Sequence, residues 1–229
     1  MKPWKRVDTV NLPGGEALYL YRRGDEFSMR GDGFELMNSR VHGSEEALAR
    51  LACQGLFGRP RARVLIGGLG MGYTLATALQ ALDAGCQITV AELVPAVVRW
   101  NRGPLAHLAG HPLSDSRVTV RETDVLVAMR SAEPVYDAII LDVDNGPDGL
   151  TRRENDRIYG ASGLKAAAAA LRPGGVLAVW SAAPDERFTA RLRRAGFAVE
   201  IRRAPADGRS GKGRPVIWLA RRGPGMTGS

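Results

Sequence analysis

Cysteine is scarce. Cys53 and Cys86 are the only two in 229 residues, and neither sits in the short spacing to a second thiol or imidazole that a zinc site uses. That excludes a disulfide framework and points to no metal, and two free thiols fit a reducing compartment, so the expected localisation is cytoplasmic. Long apolar runs are also missing: nothing approaches the roughly 18 residues of a membrane span. The basic start Met1-Lys2-Pro3-Trp4-Lys5-Arg6 is not followed by an apolar core, so neither a signal peptide nor a membrane partner is expected. Aromatics are few, at 6%, and acids are outnumbered: 24 Asp and Glu stand against 32 Lys and Arg, for a formal charge of +8. The excess is arginine scattered over several predicted helices. With no aromatic-interleaved basic strand in view, it reads as solvated helix faces, and nucleic acid is not the expected partner.

What is present is a core and a punctuated α/β pattern. Hydrophobic residues make up 45% of the chain, enough for one large domain or a main domain with a small one. The stretch that organises the rest is Val64-Leu65-Ile66-Gly67-Gly68-Leu69-Gly70-Met71-Gly72-Tyr73-Thr74. An apolar strand runs into a glycine cluster and then into a helical pattern. Glycines there let backbone N–H groups approach a ligand, and a helix N-terminus adds positive potential. Alone, such a turn is equally a tight strand-to-helix connection without a ligand.

Residues 1–43 read as a small N-terminal β-meander of three strands, over 17–22, 26–30 and 34–37. Such a sheet is too small to stand alone and must pack on the main domain. A helix follows, with Ser44 as its N-cap and Glu45-Glu46 in the first turn. Residues 44–222 then form the main domain. Strands at 64–67, 87–92, 117–121, 136–142 and 176–180 alternate with helices, which implies a parallel sheet with crossover connections. The end breaks this rhythm: a helix over 185–195 precedes strands at 197–201 and 215–220, which must pair antiparallel. Residues 204–214 read as a mobile loop, and 223–229 as a disordered tail.

In an open α/β sheet, ligands sit beyond the carboxyl ends of the strands. Four strands in a row end in suitable groups there. The first ends in the glycine turn. The second ends in Glu92, twenty residues after Gly72 and placed to accept from ribose hydroxyls. The third leads to Asp124, placed to accept from a base amine. The fourth ends in Asp142, with Asp144 and Asn145 close behind. Each acid alone has a structural use, as a helix cap or a capped strand end; their concentration on one edge is the specific signal.

On these residues the chain resembles class I S-adenosylmethionine-dependent methyltransferases, and within them the spermidine synthase group (polyamine aminopropyltransferases). The resemblance runs over residues 44–182. It rests on Glu45-Glu46, the glycine turn, Glu92, Asp124, the run Tyr136 to Asp142 with Gly146-Pro147, and Leu171-Arg172-Pro173-Gly174-Gly175. It implies a Rossmann-like fold with a seven-stranded, mostly parallel sheet, an antiparallel C-terminal strand and the N-terminal meander. It implies S-adenosylmethionine or its decarboxylated form as cofactor. Gly68, Gly70 and Gly72 would line the methionine part, Glu92 the ribose, and Asp124 with Val125 the adenine. Asp142 would accept from the attacking amine, with Asp144 and Tyr159 beside it. Arg40, His42, Glu46, Asn145 and Trp180 are candidates for the acceptor pocket. A homodimer is the simplest assembly the resemblance implies.

The chain departs from the polyamine-synthase pattern in three places. The glycine turn has Leu69-Gly70-Met71 where that group carries an acid. The segment after Asp142 is about two residues shorter. The group's Leu-Asp-Gly-x-x-Gln has only Leu36-Met37-Asn38-Ser39-Arg40-Val41-His42 as its counterpart. An acid in the turn suits a purely cationic tail, so its absence points to methyl transfer from the intact cofactor to an amine or similar small nucleophile. Aminopropyl transfer from the decarboxylated cofactor, and a cofactor-fold binding module without turnover, are the alternatives.

Overall fold

A computed structural model of the chain describes residues 2–12, 15–31, 33–130, 134–143, 157–204 and 215–223. Two periods of alternation build two sheets. The first is antiparallel, in the order β1 (Lys5–Asn11), β2 (Ala17–Arg23), β3 (Glu26–Gly31), β4 (Phe34–Asn38). The sequence predicts only three of these strands. The missing one, β1, is an edge strand with a mostly exposed surface, so little hydrophobic alternation marks it. It is anchored by an acid: Asp8 Oδ2 accepts from Trp100 Nε1 at 2.7 Å, and this bond, with that from the Thr9 N–H, holds the Asp8 carboxyl below its usual range.

Strand β2 turns Leu18 and Leu20 to the core and leaves Tyr19, Tyr21 and Arg23 on the other side. That outward face carries two rings followed by a cation. Cations of this sheet stack on the chain's own rings, with Arg30 of β3 4.9 Å from the Tyr21 ring centre and Arg23 of β2 4.5 Å from that of Trp4.

The second sheet has seven strands: β5 (Arg63–Gly67), β6 (Gln87–Glu92), β7 (Val118–Glu122), β8 (Tyr136–Leu141), β9 (Leu171–Ser181), β10 (Phe197–Arg203) and β11 (Val216–Arg222). Their spatial order is β10-β11-β9-β8-β5-β6-β7. All neighbours are parallel except β11, which inserts antiparallel between β9 and β10. The chain winds outward from β5 through β6 and β7, then returns to the other side of β5 through β8 and β9. The switch point therefore lies between β5 and β8, where such sheets open a crevice.

Helices cover both faces. On one side α1 (Gly43–Cys53), α2 (Tyr73–Ala81) and α3 (Pro95–Arg102) pack Leu48, Leu75 and Val98 onto Val64, Ile66, Val90 and Ile140. On the other, α4 (Val125–Met129), α5 (Ala161–Ala170) and α6 (Glu186–Arg194) pack Leu126, Leu164 and Phe188 onto Leu65, Ile139 and Val179. Strand β8 is buried at every residue, which is why its sequence is nearly continuously apolar. Its one buried acid, Asp137, lies at the amino end of the sheet. It accepts from the Arg63 N–H at 2.8 Å and pairs with Arg59 at 3.1 Å and Arg172 at 3.0 Å.

Ser44 is not the cap of α1. The helix starts at Gly43, and Ser44 Oγ donates to Glu45 Oε2 at 2.6 Å instead. The expected loop over 204–214 and tail over 223–229 lie outside the described residues except for Ala204 and Gly223 at their starts. No helix among the described residues is long and apolar enough to cross a membrane.

Candidate active site

The carboxyl edge of the sheet is laced together by three backbone bonds that join four strand ends. The Gly68 N–H donates to Ala91 O, Asp142 N–H to Gly67 O, and Thr123 N–H to Glu92 O, each at 2.9 Å. The glycine turn that follows β5 runs with φ of +87° at Gly68, +52° at Gly70 and +86° at Gly72, backbone that favours glycine. Space demands glycine too. A Cβ at position 68 would collide with the carbonyl of Asp142, and one at 70 would stand 3.0 Å from Met37 Cε. Helix α2 begins directly after Gly72, so its first free N–H groups lie at this turn.

Glu92 is buried, at 7% exposure. Its Oε2 accepts from the Leu69 N–H and its Oε1 from the Val94 N–H, both at 2.8 Å. The strand-end acid therefore braces the glycine turn on one side and the entry to α3 on the other. A carboxylate oxygen has a second lone pair, so bracing the turn is compatible with accepting from a diol. Leu93, the next residue, is half exposed and offers an apolar surface. Asp124 is the N-cap of α4, with Oδ1 accepting from the Leu126 N–H at 2.8 Å. Val125 sends its side chain beneath the turn: a Cβ on Gly67 would be 2.7 Å from Val125 Cγ2. Its own N–H, at the first position of α4, is one of the helix's orphan donors.

At the tip of β8, Asp142 keeps some surface while its carboxyl lies well inside the edge. Thr74 Oγ1 donates to its Oδ2 at 2.5 Å. Burial and the negative charge of Glu45 push the Asp142 carboxyl up to about 7, and the Thr74 bond partly opposes them. Two carboxyl groups thus share the crevice. Trp180 belongs to the adjacent tip: Val179 pairs with Leu141, so Trp180 stands one place on, beside Asp142. Its Nε1 is buried with no hydrogen-bond partner among the described residues, an orphan donor of the kind a bound polar group satisfies.

The remaining candidates lie elsewhere or serve each other. The His42 ring stacks on Tyr73 with centroids 4.0 Å apart, and its Nδ1 is 2.7 Å from Glu46 Oε1. Glu46 also receives Arg50 at 3.2 Å. Tyr73 donates to Ser39 O at 3.1 Å; burial, then Glu45 and Glu46, raise its hydroxyl to about 12. Together these join the N-terminal sheet to α1 and α2. Arg40 Nε is 3.8 Å from Glu26 Oε2. Tyr159 is buried edge-on to Phe188, with its hydroxyl donating to Val143 O at 3.3 Å. Asp144 and Asn145 lie outside the described residues. Three residues that the structure brings to the edge, Glu45, Thr74 and Met37, are not among the site residues expected from the sequence, although Glu45 and Thr74 lie in the stretches that carry the resemblance. Glu45 shares its acidic character with Glu46, and Met37 looks like ordinary strand filling.

No family model matches the chain, and a search of curated proteins finds no relative by sequence. Solved structures do match. One is a spermidine synthase in complex with the transition-state analogue AdoDATO: 17% identity, TM-score 0.75, covering 95% of this chain and 72% of that one. Another is the spermidine synthase of Thermotoga maritima: 16% identity, TM-score 0.74, covering 95% and 73%. A third is human methyltransferase-like protein 13 in complex with SAH: 20% identity, TM-score 0.56, covering 81% and 82%. The fold is that of class I methyltransferases, in the form found in spermidine synthases.

Proposed function

We propose that the chain is an S-adenosylmethionine-dependent transferase that delivers a methyl group to an amine or other small nucleophile, on a spermidine synthase-like scaffold. The observation that carries the reading is Asp142: a carboxyl at the sheet's switch point, oriented by Thr74 and with its proton affinity raised toward neutrality.

The residues of the edge fit the cofactor chemically. Glu92, at the end of β6 beside the glycine turn, is placed to accept from the ribose hydroxyls. Asp124 and the Val125 N–H supply an acceptor and a donor for adenine, with Leu93 as an apolar neighbour. Gly68, Gly70 and Gly72 leave the turn bare for the methionine part. When bound, the cofactor supplies an electrophilic carbon on a cationic sulfur. Everything else falls to the chain. An attacking amine must be neutral, and a carboxylate within reach orients it and takes its proton. Thr74 engages Oδ2 of Asp142, leaving Oδ1 for that task. Trp180 Nε1 supplies a donor at the acceptor end.

One observation favours a second reading. Glu45 places a second negative charge by Asp142, and two acids suit a cationic aminopropyl tail or a polyamine. Titration calorimetry with S-adenosylmethionine and with its decarboxylated form separates the two. Tight binding of the intact cofactor and methyl transfer to amines support the first reading. Binding of the decarboxylated form alone sinks it in favour of aminopropyl transfer. Heat from neither cofactor, with steeply salt-dependent binding to RNA or DNA, leaves a binding module without turnover.

A further inference from the structure

We propose that Met37, from the N-terminal sheet, is the specificity-determining residue for the cofactor's tail, filling from outside the volume that a side chain within the glycine turn would otherwise fill. The inference rests on the transferase reading and deepens it.

A Cβ on Gly70 would meet Met37 Cε at 3.0 Å and Met37 Sδ at 3.1 Å. The thioether therefore lies directly against the barest point of the turn. The arrangement is held from both sides. Met37 sits in β4 opposite Met29, and the strand is fixed to α2 by the Tyr73 hydroxyl on Ser39 O at 3.1 Å. Gly70 is held by Asn101 Nδ2, which donates to its carbonyl at 2.8 Å. The sheet order gives the direction of a bound nucleoside. With the base on the β7 side and the ribose at Glu92 on β6, the rest of the molecule runs toward β5 and β8. Its tail then passes Gly70 and Met37.

The chemistry of this contact is neutral and adaptable. A thioether on an unbranched stem packs well on methylene groups and does not read charge. The turn in this chain thus meets the tail with an apolar surface, and the acids stay at Asp142 and Glu45. Met37 is a positioning and selectivity group, with no part in the reaction.

The test is calorimetric and needs no turnover. S-adenosylhomocysteine carries the amino-acid tail; 5′-methylthioadenosine lacks it. In Met37→Ala, affinity for S-adenosylhomocysteine is expected to fall about tenfold while that for methylthioadenosine stays within about twofold. Met37→Glu, a polar change at a half-buried strand position, is expected to move the affinity ratio of decarboxylated to intact S-adenosylmethionine upward by about tenfold. Equal losses for both nucleosides in Met37→Ala, or none for either, with an unmoved ratio in Met37→Glu, overturn the inference and leave the transferase reading standing. Wild-type protein that binds neither nucleoside overturns the transferase reading and the inference with it.

Discussion

The hydroxyl of Thr74 donates to Asp142 Oδ2 at 2.5 Å, and so ties the first turn of α2 to the tip of β8 across 68 residues of sequence. The bond fixes the carboxylate's rotation at the place where an acceptor would meet the glycine turn. It also acts on the proton: it opposes the upward push that burial and Glu45 exert on Asp142.

Asp142→Asn should abolish turnover while leaving cofactor affinity within a few-fold, because the amide keeps the shape and loses the basic oxygen. Wild-type kcat should rise with pH through a midpoint near 7, where Asp142 ionises. Thr74→Val should shift that midpoint upward, since it removes a hydrogen bond that favours the charged form. A pH–rate profile of the three proteins checks this; full turnover in Asp142→Asn removes Asp142 from the mechanism.

Stability should follow the same group with the opposite trend. The folded value is raised above the usual 3.8 to about 7. Between those values the folded protein holds a proton that the unfolded chain has released, so the contribution of Asp142 to stability is fully present below about pH 4 and is lost as pH rises to about 7. Urea titrations across this window should show a slope for wild type that Asp142→Asn lacks. Equal slopes would mean that Asp142 titrates normally.

Glu92→Ala removes the acceptor of two backbone N–H groups, those of Leu69 and Val94. The loss should be about 2–4 kcal/mol of stability, together with weaker cofactor binding by about 1–3 kcal/mol. Glu92→Gln keeps one acceptor and should fall between. Chemical denaturation and calorimetry measure the two effects separately; a stable Glu92→Ala that merely binds cofactor poorly would show that the brace is dispensable.

Gly68→Ala should be among the most damaging glycine changes. It combines φ of +87° with a collision against the Asp142 carbonyl, so a loss above roughly 3 kcal/mol or a failure to fold is expected. Gly58→Ala is the control: φ is +72° there, but a Cβ would meet nothing within 4 Å, and the expected cost is only about 1 kcal/mol. Thermal melts of the two variants side by side decide between strain alone and strain with a clash.

The half of the site proposed to hold the cofactor is legible in the sequence because it is built from strand ends. Gly68, Glu92 and Asp142 each follow an apolar run and Asp124 follows the alternating β7, and parallel winding brings all such ends to one edge whatever the side chains do. The acceptor half is less legible. His42 and Glu46 look like pocket residues, yet they engage each other, with Tyr73 stacked on the ring. Strand β1 leaves little trace because it lies at an edge and turns an acid inward.

The order of strands and helices, the turn that needs bare backbone and the acids at the strand tips can all be read along the chain. These depend on local periodicity and on the sterics of single residues. Only the tertiary structure decided which of Glu45 and Glu46 acts on Asp142, since adjacent helix residues point about 100° apart and the rotation of α1 on the sheet makes the choice. Only it decided that Met37 meets Gly70. No local pattern links two residues 33 apart, one on a strand of the N-terminal sheet and one in the turn after β5; that contact exists because the N-terminal sheet docks on α2 and lowers β4 onto the turn.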